Sequence, residues 1–191
     1  LSEINLFNSN YETIKNFQGL TVDQLSQQLG IKVDALIGGD ILKNYMFNID
    51  FKDKSFSILR EIPKNNPNSI NIDFLMNIPI IKISINNKPI NTFLDTGAKI
   101  SYINKKYTQD LKVIDSVEDF YPTIGSFRTD IHKMSITFNS SEISLTFGVL
   151  PEMLEAALLL GNIEGIIGND IFQYYSLTFD YKNKKIYYIN N

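Results

Sequence analysis

The sequence predicts a mostly-β fold with short helices, and three observations support this prediction. The chain of 191 residues contains 13 Phe and 10 Tyr beside many Ile, and 43% of its residues are hydrophobic. Aromatic and β-branched side chains suit the pleated, half-buried surface of a strand. Short apolar segments recur between Asn, Gly and Pro residues, which are typical of turns. A chain of this length and hydrophobic content can bury a good core, as one large or two small domains.

The first 59 residues contain signals for one helix and one β-hairpin. Thr21–Gln24 has the form of a capping box, in which the Thr and Gln side chains satisfy free backbone N–H groups, and Gly30 ends the helix. Two short apolar segments, Phe47–Phe51 and Ser55–Ile58, predict the hairpin. Residues 60–69 are polar and contain two prolines, which predicts a linker to the next unit.

Residues 70–191 contain a second series of predicted strands. Ile78–Leu94 predicts two strands joined at Asn86-Asn87, because Asn tolerates the left-handed conformation that tight hairpins need. Pro151–Leu160 is either a short helix or a buried apolar segment. The predicted closing hairpin consists of Leu177–Tyr181 and Lys185–Ile189.

An internal repeat relates the two units. Residues 36–54 align without gaps on residues 166–184, at an offset of 130, and both copies begin with two apolar residues and a glycine. A shorter match relates Ser2–Leu6 to Ser141–Leu145. Since a repeated sequence usually folds as a repeated structural element, residues 1–59 are predicted to resemble the second half of the later unit.

The segment Phe93–Ser101, Phe-Leu-Asp-Thr-Gly-Ala-Lys-Ile-Ser, carries the strongest functional signal. An apolar strand runs into a loop, where glycine allows a sharp turn and the Thr96 hydroxyl can fix the loop by hydrogen bonds. Such a loop would hold the Asp95 carboxylate rigidly. Asp-Thr-Gly alone is a common turn tripeptide, but Ile166-Ile167-Gly168 follows it 71 to 73 positions after Asp95.

The hairpin, the Asp-Thr-Gly-Ala loop and the Ile-Ile-Gly segment, in this order, resemble the retropepsin-like aspartic peptidases over about Ile70–Asn191. The resemblance implies a complete acid-protease lobe there, preceded in residues 1–59 by the C-terminal half of a related first lobe. It also implies an endopeptidase that acts on polypeptide without a cofactor. The residues to which it assigns roles are Asp95, Thr96 (the loop-locking hydroxyl) and Gly97 at the catalytic loop, with Ala98 among the substrate-binding residues.

The chemistry of that family needs two carboxylates that share one proton and activate a water between them. Asp95 is one, but no second Asp-Thr-Gly or Asp-Ser-Gly occurs in the 191 residues. Three alternatives stay open. The second Asp belongs to the missing half of the first lobe, or two copies pair about a two-fold axis and each donates Asp95. In the third alternative there is no partner, and the lobe is catalytically silent and serves peptide binding or assembly.

A flap is the other part that the family needs, a β-hairpin that closes over bound peptide. The candidate is Asp119–Ile131, with Gly125-Ser126 predicted at its tip. Its predicted substrate-binding residues are Tyr121, Ile124, Gly125 and Phe127. The alternative is an ordinary surface hairpin.

The sequence departs from the family at one ion pair. Many retropepsins carry an acidic residue two places after the glycine of the Asp loop and a basic residue after the glycine of the apolar strand. Here these positions hold Lys99 and Asn169, although Asp170 is a possible partner for Lys99. Because that pair lies near the dimer interface of the family, its absence puts a dimer of the retroviral type in doubt.

Composition excludes several other classes of function. The net charge of −3 is small and the basic residues are scattered, which predicts no nucleic-acid partner and no anionic membrane surface. No run of 18 apolar residues occurs, so the chain as given is expected to be soluble. The absence of Cys excludes disulfides, thiol catalysis and Cys-based zinc sites, and no cluster has metal-ligand spacing. The single His, His132, is predicted to be a solvent-facing or hydrogen-bonded strand residue. Nothing in the sequence fixes a compartment.

Overall fold

The computed structural model describes residues 3–17, 19–64, 68–121 and 124–191, and most of their regular structure is β-strand. The strands of the described residues are β1 Glu3–Leu6, β2 Ser9–Glu12, β3 Met46–Asp50, β4 Ser55–Leu59, β5 Asn68–Asn71, β6 Asp73–Leu75, β7 Ile78–Ile85, β8 Lys88–Leu94, β9 Ser101–Ile103, β10 Val113–Tyr121, β11 Gly125–Phe138, β12 Ser141–Val149, β13 Gly165–Ile167, β14 Tyr175–Asp180 and β15 Lys185–Asn190. The helices are α1 Val22–Leu29, α2 Gly39–Leu42 and α3 Glu152–Leu160, with 3₁₀ helices at Lys105–Tyr107 and Asn169–Gln173. The predicted mostly-β class with short helices is confirmed.

An eight-stranded sheet forms the larger part of the fold, in the order β10-β11-β12-β9-β13-β8-β7-β6. Its β7–β8 hairpin turns at Asn86 and Asn87, which have φ values of 51° and 63°. These are the left-handed conformations that the sequence predicts for this turn. Alternate residues of β7 are buried, so one face of the hairpin contributes to the core.

The short strand β13 lies in the middle of that sheet. It pairs in parallel with β8, where Ile166 lies opposite Phe93 and Ile167 opposite Leu94. On its other side it pairs antiparallel with β9, where Ile166 lies opposite Tyr102. Because β8 leads directly into Asp95, this pairing fixes where the Asp loop begins.

A five-stranded sheet combines strands from both predicted units, in the order β4-β3-β14-β15-β5. The two predicted hairpins, β3–β4 and β14–β15, are confirmed and meet where β3 pairs antiparallel with β14. Phe47 and Phe179 lie opposite each other there and stack with ring centroids 4.7 Å apart. Of the predicted linker, residues 65–67 lie outside the described residues, and residues 68 and 69 belong to β5.

The helices agree with the sequence signals at their ends. The Thr21 N–H donates to the Gln24 side chain at 2.9 Å, and the Gln24 N–H donates to the Thr21 hydroxyl at 3.2 Å. The predicted capping box is therefore present, and Gly30 ends α1 at φ 66°. Of the two alternatives for Pro151–Leu160, the helix is correct, and Leu154 and Leu158 are its buried residues.

The described elements recur in the same order at the offset of the sequence repeat. Adding 130 to the bounds of α1, α2, β3 and β4 gives those of α3, the 3₁₀ helix Asn169–Gln173, β14 and β15, to within one residue. The shorter match is not supported by the pairing. Glu3–Leu6 is the first strand of its hairpin, whereas Ser141–Leu145 belongs to the second strand of the β11–β12 hairpin; Ser2 lies outside the described residues.

No helix in the described ranges is long and apolar enough to cross a membrane.

Candidate active site

The Asp loop is held at both ends by backbone hydrogen bonds. At its start the Asp95 N–H donates to the Ile167 carbonyl at 2.9 Å, which continues the pairing of β8 with β13. Within the loop, the Gly97 N–H donates to Asp95 Oδ1 at 2.8 Å and the Ala98 N–H donates to the Asp95 carbonyl at 3.2 Å. The carboxyl group therefore has a fixed orientation, set by the backbone of its own loop.

The far side of the loop rests on Gly168. A Cβ at this position would lie 2.8 Å from the Ala98 carbonyl oxygen and in still closer collision with the Ile100 carbonyl. The neighbouring Asn169 N–H donates to the same Ala98 carbonyl at 2.9 Å. Glycine is therefore required here by close approach of the backbone, which explains the glycine of the Ile-Ile-Gly motif.

Ser101 and Asp170 form a buried polar link beneath the loop. The Gly168 N–H donates to the Ser101 hydroxyl at 3.0 Å, and that hydroxyl donates to Asp170 Oδ1 at 2.6 Å. The other carboxylate oxygen of Asp170 accepts from the Thr146 N–H at 3.3 Å. The link ties β9, β12 and β13 together around the Asp loop.

Burial dominates the electrostatics of Asp95. Removal from water raises the pKa of the Asp95 carboxyl, and the hydrogen bonds from the Gly97 and Ala98 N–H groups oppose part of that rise. The negative charge of Asp95 also reaches two tyrosines. Burial, and then this charge, raises the pKa of Tyr121, and the same two causes raise the pKa of Tyr181 to about 12. Asp95 therefore holds a proton to higher pH than an exposed Asp does.

The candidate flap is the β10–β11 hairpin, which is longer than predicted. Tyr121 lies opposite Gly125 and Phe120 opposite Ser126, so the predicted tip residues Gly125 and Ser126 belong to β11. The turn precedes them and contains Ile124, whose N–H donates to the Tyr121 carbonyl at 2.9 Å. Pro122 and Thr123 lie outside the described residues. Gly125 has φ 85°, which explains a glycine at this end of the turn.

The flap and the Asp loop share one apolar cluster. Four predicted substrate-binding residues pack, half-buried, against the buried residues of this cluster, and they are Ala98, Tyr121, Ile124 and Phe127. Among the buried residues are Phe93, Tyr102 and Ile166, from β8, β9 and β13. The structure therefore brings the candidate flap to the Asp loop, over a half-buried apolar surface.

Residues 76–179 match the sequence model of the retroviral aspartyl protease family. The chain belongs to this family. The matched range contains the Asp loop, the β10–β11 hairpin and β13, which are the elements that form the site. No curated protein matches the sequence.

Three solved structures of proteases match part of this chain at low sequence identity. A retropepsin-like aspartic protease from Rickettsia conorii is 17% identical, with a TM-score of 0.46 over 63% of this chain and 90% of that one. The simian foamy virus (mac) protease is 12% identical, with a TM-score of 0.37 over 48% of this chain and 90% of that one. The foamy viral protease-reverse transcriptase, solved with an RNA/DNA hybrid, is 15% identical, with a TM-score of 0.41 over 52% of this chain. The match spans only 12% of the length of that viral chain.

Two contacts that the sequence suggests around the Asp loop are absent among the described residues: an ion pair between Lys99 and Asp170, and a hydrogen bond of the Thr96 hydroxyl. Asp170 accepts from Ser101 and Thr146 and not from Lys99, which is exposed and makes no ion pair within the described ranges. The Thr96 hydroxyl has no hydrogen-bond partner among the described residues, where the backbone N–H groups of Gly97 and Ala98 close the loop. The assigned locking role of Thr96 stays a prediction.

The sequence does not predict one contact near the turn of the flap. The Tyr102 hydroxyl on β9 donates to the Asp119 carboxylate on β10, and burial and this contact raise the pKa of Tyr102. The ring of Tyr102 fills the space beside Gly148, where a Cβ would lie 2.6 Å from the ring. No motif or spacing marks Tyr102 and Asp119 as partners, so only the fold reveals them.

The described residues offer no alternative catalytic centre. His132 is buried, and its Nδ1 lies 3.2 Å from the Lys112 carbonyl, which agrees with the prediction of a hydrogen-bonded strand residue. No group of three potential metal ligands occurs in the described part of the chain. None of the carboxylates there contributes to the pKa shift of Asp95.

Proposed function

We propose that this chain provides Asp95 as one of two carboxylates in an aspartic endopeptidase, which hydrolyses peptide bonds with water activated between the two. The surroundings of the Asp95 carboxyl give the strongest support for this proposal. The Asp95 carboxyl is oriented by the Gly97 N–H, its pKa is raised by burial, and the flap residue Tyr121 is near enough to respond to its charge. A half-buried carboxyl with a raised pKa, next to an apolar surface, is a candidate acid–base group.

The chemistry follows from two carboxyl groups that share one proton. The ionised member takes a proton from the water between them, and the water attacks the peptide carbonyl. The protonated member donates a hydrogen bond to the developing oxyanion and then helps to protonate the leaving nitrogen. Like charges so close cannot both ionise, so the pair titrates as a unit, with pKa values that belong to neither residue alone.

The substrate in this proposal is an extended polypeptide between the Asp loop and the flap. Gly97 is exposed and leaves room for a substrate backbone, and Ala98 lies next to it. The half-buried Tyr121, Ile124 and Phe127 would contact side chains on either side of the scissile bond. Since these groups are mainly apolar, apolar side chains are the expected preference.

A second function is favoured by the missing carboxylate. No acidic group of the described residues acts on Asp95, so residues 1–191 alone would form a catalytically silent lobe. Such a lobe would bind an extended peptide, or a partner in an assembly, through main-chain hydrogen bonds between the same Asp loop and flap.

The test is cleavage of a diverse peptide library from about pH 3 to pH 7, a range that brackets the pKa values of a carboxylate pair. The chain is compared with Asp95→Asn and with Asp110→Asn, which changes an exposed Asp outside the site. Cleavage that Asp95→Asn abolishes and Asp110→Asn preserves supports the endopeptidase. Peptide binding without cleavage in all three forms favours the silent lobe.

A further inference from the structure

The two repeated strands pair with each other about a local two-fold axis. Asn48 and Thr178 are 130 residues apart, so they are counterparts in the repeat, and they lie opposite each other in the β3–β14 pairing. The Asn48 amide donates to the Thr178 hydroxyl at 3.0 Å. On either side, Phe47 lies opposite Phe179 and Ile49 opposite Leu177. At the offset of 130, Phe47 corresponds to Leu177 and Phe179 corresponds to Ile49. Exchanging the two copies therefore converts the first pair into the second, as a two-fold axis does.

The counterparts of the Ile-Ile-Gly segment have very different surroundings. Ile166 and Ile167 are 5% and 0% exposed, because β13 lies between β8 and β9. Their counterparts Leu36 and Ile37 are 61% and 37% exposed. Residues 35–37 belong to no strand and make no backbone hydrogen bond to any other described residue. The first copy therefore presents an apolar strand sequence with free backbone groups.

Gly38 adds a second, independent observation. Its counterpart Gly168 must be glycine because the backbone at Ala98 and Ile100 crosses it closely. At Gly38 φ is −90°, which any residue adopts, and a Cβ would meet only the exposed side chain of Asp40. Nothing in the described part of the chain requires glycine at this position. A backbone segment that crossed Gly38 as closely as the Asp loop crosses Gly168 would require it.

We propose that Ala35–Gly38 is a docking edge for a polypeptide segment outside residues 1–191, which repeats β8, its Asp-Thr-Gly or Asp-Ser-Gly loop, and β9. That segment would pair with residues 35–37 as β8 and β9 pair with β13, and it would complete the lobe of which residues 1–59 are the second half. Its Asp would lie across the local two-fold axis from Asp95 and supply the second carboxylate. This last step rests on the proposed function.

A second copy of the chain does not fit the docking edge. In each copy β8 and β9 are already paired with their own β13. β14 pairs with β15 on one side and with β3 of the same chain on the other, so it has no open edge for a second copy. A second Asp95 would reach the position across the axis only if residues 36–59 were displaced.

The test leaves residues 1–191 intact and adds a probe. Residues 78–107 of this same chain, which contain β7, β8, the Asp loop and β9, are fused to the N-terminus through a flexible Gly/Ser linker of about 20 residues. Hydrogen exchange by mass spectrometry then compares residues 33–39 in the fused and unfused proteins. We expect exchange at residues 35–37 to slow by about tenfold or more on fusion, since these amides become paired.

Gly38→Ala in the same fusion is the matched control. Its Cβ would block the crossing backbone, so the slowing should disappear, while exchange at β13 stays unchanged. Unaltered exchange at residues 35–37 in the fusion would overturn the docking edge. A second result would also overturn the docking edge. If sedimentation shows a dimer of the unfused chain and hydrogen exchange shows residues 35–37 protected in it, a second copy is the occupant.

Peptide cleavage separates this inference from the proposed function. A fusion with Asp at both loops should cleave peptides, and Asp95→Asn in the fused probe should abolish cleavage without loss of protection. Protection without cleavage when both Asp residues are present would keep the docking edge and refute the endopeptidase. Cleavage by the unfused monomer would refute the added segment as the source of the second carboxylate.

Discussion

The Tyr102 hydroxyl donates a hydrogen bond to the Asp119 carboxylate, and this contact joins the strand after the Asp loop to the turn end of β10 in the candidate flap. Tyr102 is buried in the cluster that also receives the flap residue Phe127, with ring centroids 6.0 Å apart. The flap is therefore attached to the site at two points, one polar and one aromatic, and its position depends on β9.

Removal of that hydroxyl should loosen the flap. Tyr102→Phe keeps the ring but removes a hydrogen bond to a charged group, which costs about 1.5–3 kcal/mol of stability. Hydrogen exchange should quicken at residues 117–121, and the free energy of unfolding should fall. Tyr107→Phe is the control, because its hydroxyl donates to Glu164 at 2.8 Å, away from the flap. Equal effects of both variants on exchange in β10 would contradict the proposed attachment.

The same substitution should have a large effect on stability at Gly168 and almost none at its counterpart Gly38. Gly168→Ala places a Cβ against the Ala98 and Ile100 carbonyls, and overpacking of this kind costs about 1–3 kcal/mol. Gly38→Ala meets only an exposed carboxylate, so the stability of the chain alone should hardly change. Urea unfolding of both variants checks this pair. A large loss for Gly38→Ala would mean that the described chain itself requires that glycine.

The elements around the site were predictable where the signal is local. Asn86 and Asn87 specify a tight hairpin through their own backbone preference, and Gly168 marks a close approach. The predicted tip, Gly125-Ser126, lies after the observed turn, because Gly125 at φ 85° marks the end of the turn and not its middle. A glycine signals a positive φ, but not where in the turn that φ occurs.

The contacts between strands could not be predicted in the same way. Ser101 and Asp170 are 69 residues apart, and Tyr102 and Asp119 meet only because β9 and β10 belong to the same sheet. Proximity to the motif suggests Asp170 as a partner for Lys99, but Asp170 accepts a hydrogen bond from the buried Ser101 hydroxyl instead. A carboxylate removed from water bonds to the donors that the fold brings next to it. The order of residues in the sequence does not show which donors these are.

Ser101 should therefore be important for stability near the site. Ser101→Ala leaves the Gly168 N–H without its acceptor and removes one donor from Asp170, and an unsatisfied buried group costs about 1–3 kcal/mol. The free energy of unfolding should fall by that order, and Ser101→Thr should restore part of it. Thr108→Ala is a control, since its hydroxyl donates to the Lys105 carbonyl away from the loop. A loss no greater than that of the control would rule out a supporting role for Ser101.

The pH dependence of stability should reflect the half-buried Asp95 carboxyl. Its pKa is raised above the ordinary value of 3.8, and the first cause is burial. Below pH 3.8 the group is protonated in both the folded and unfolded chain, so its favourable contribution is fully present. As the pH rises through the raised pKa, the folded chain must bury a charge or hold a proton that the unfolded chain releases, and this contribution is lost.

Asp95→Asn has no proton to lose at this position. Its unfolding free energy, relative to that of the unmodified chain, should therefore rise from about pH 3.8 towards neutrality. Denaturant unfolding across this range measures the difference, with Asp110→Asn, at an exposed position outside the site, as the control. A relative stability of Asp95→Asn that falls with increasing pH would mean that the carboxylate form is the one the folded loop stabilises.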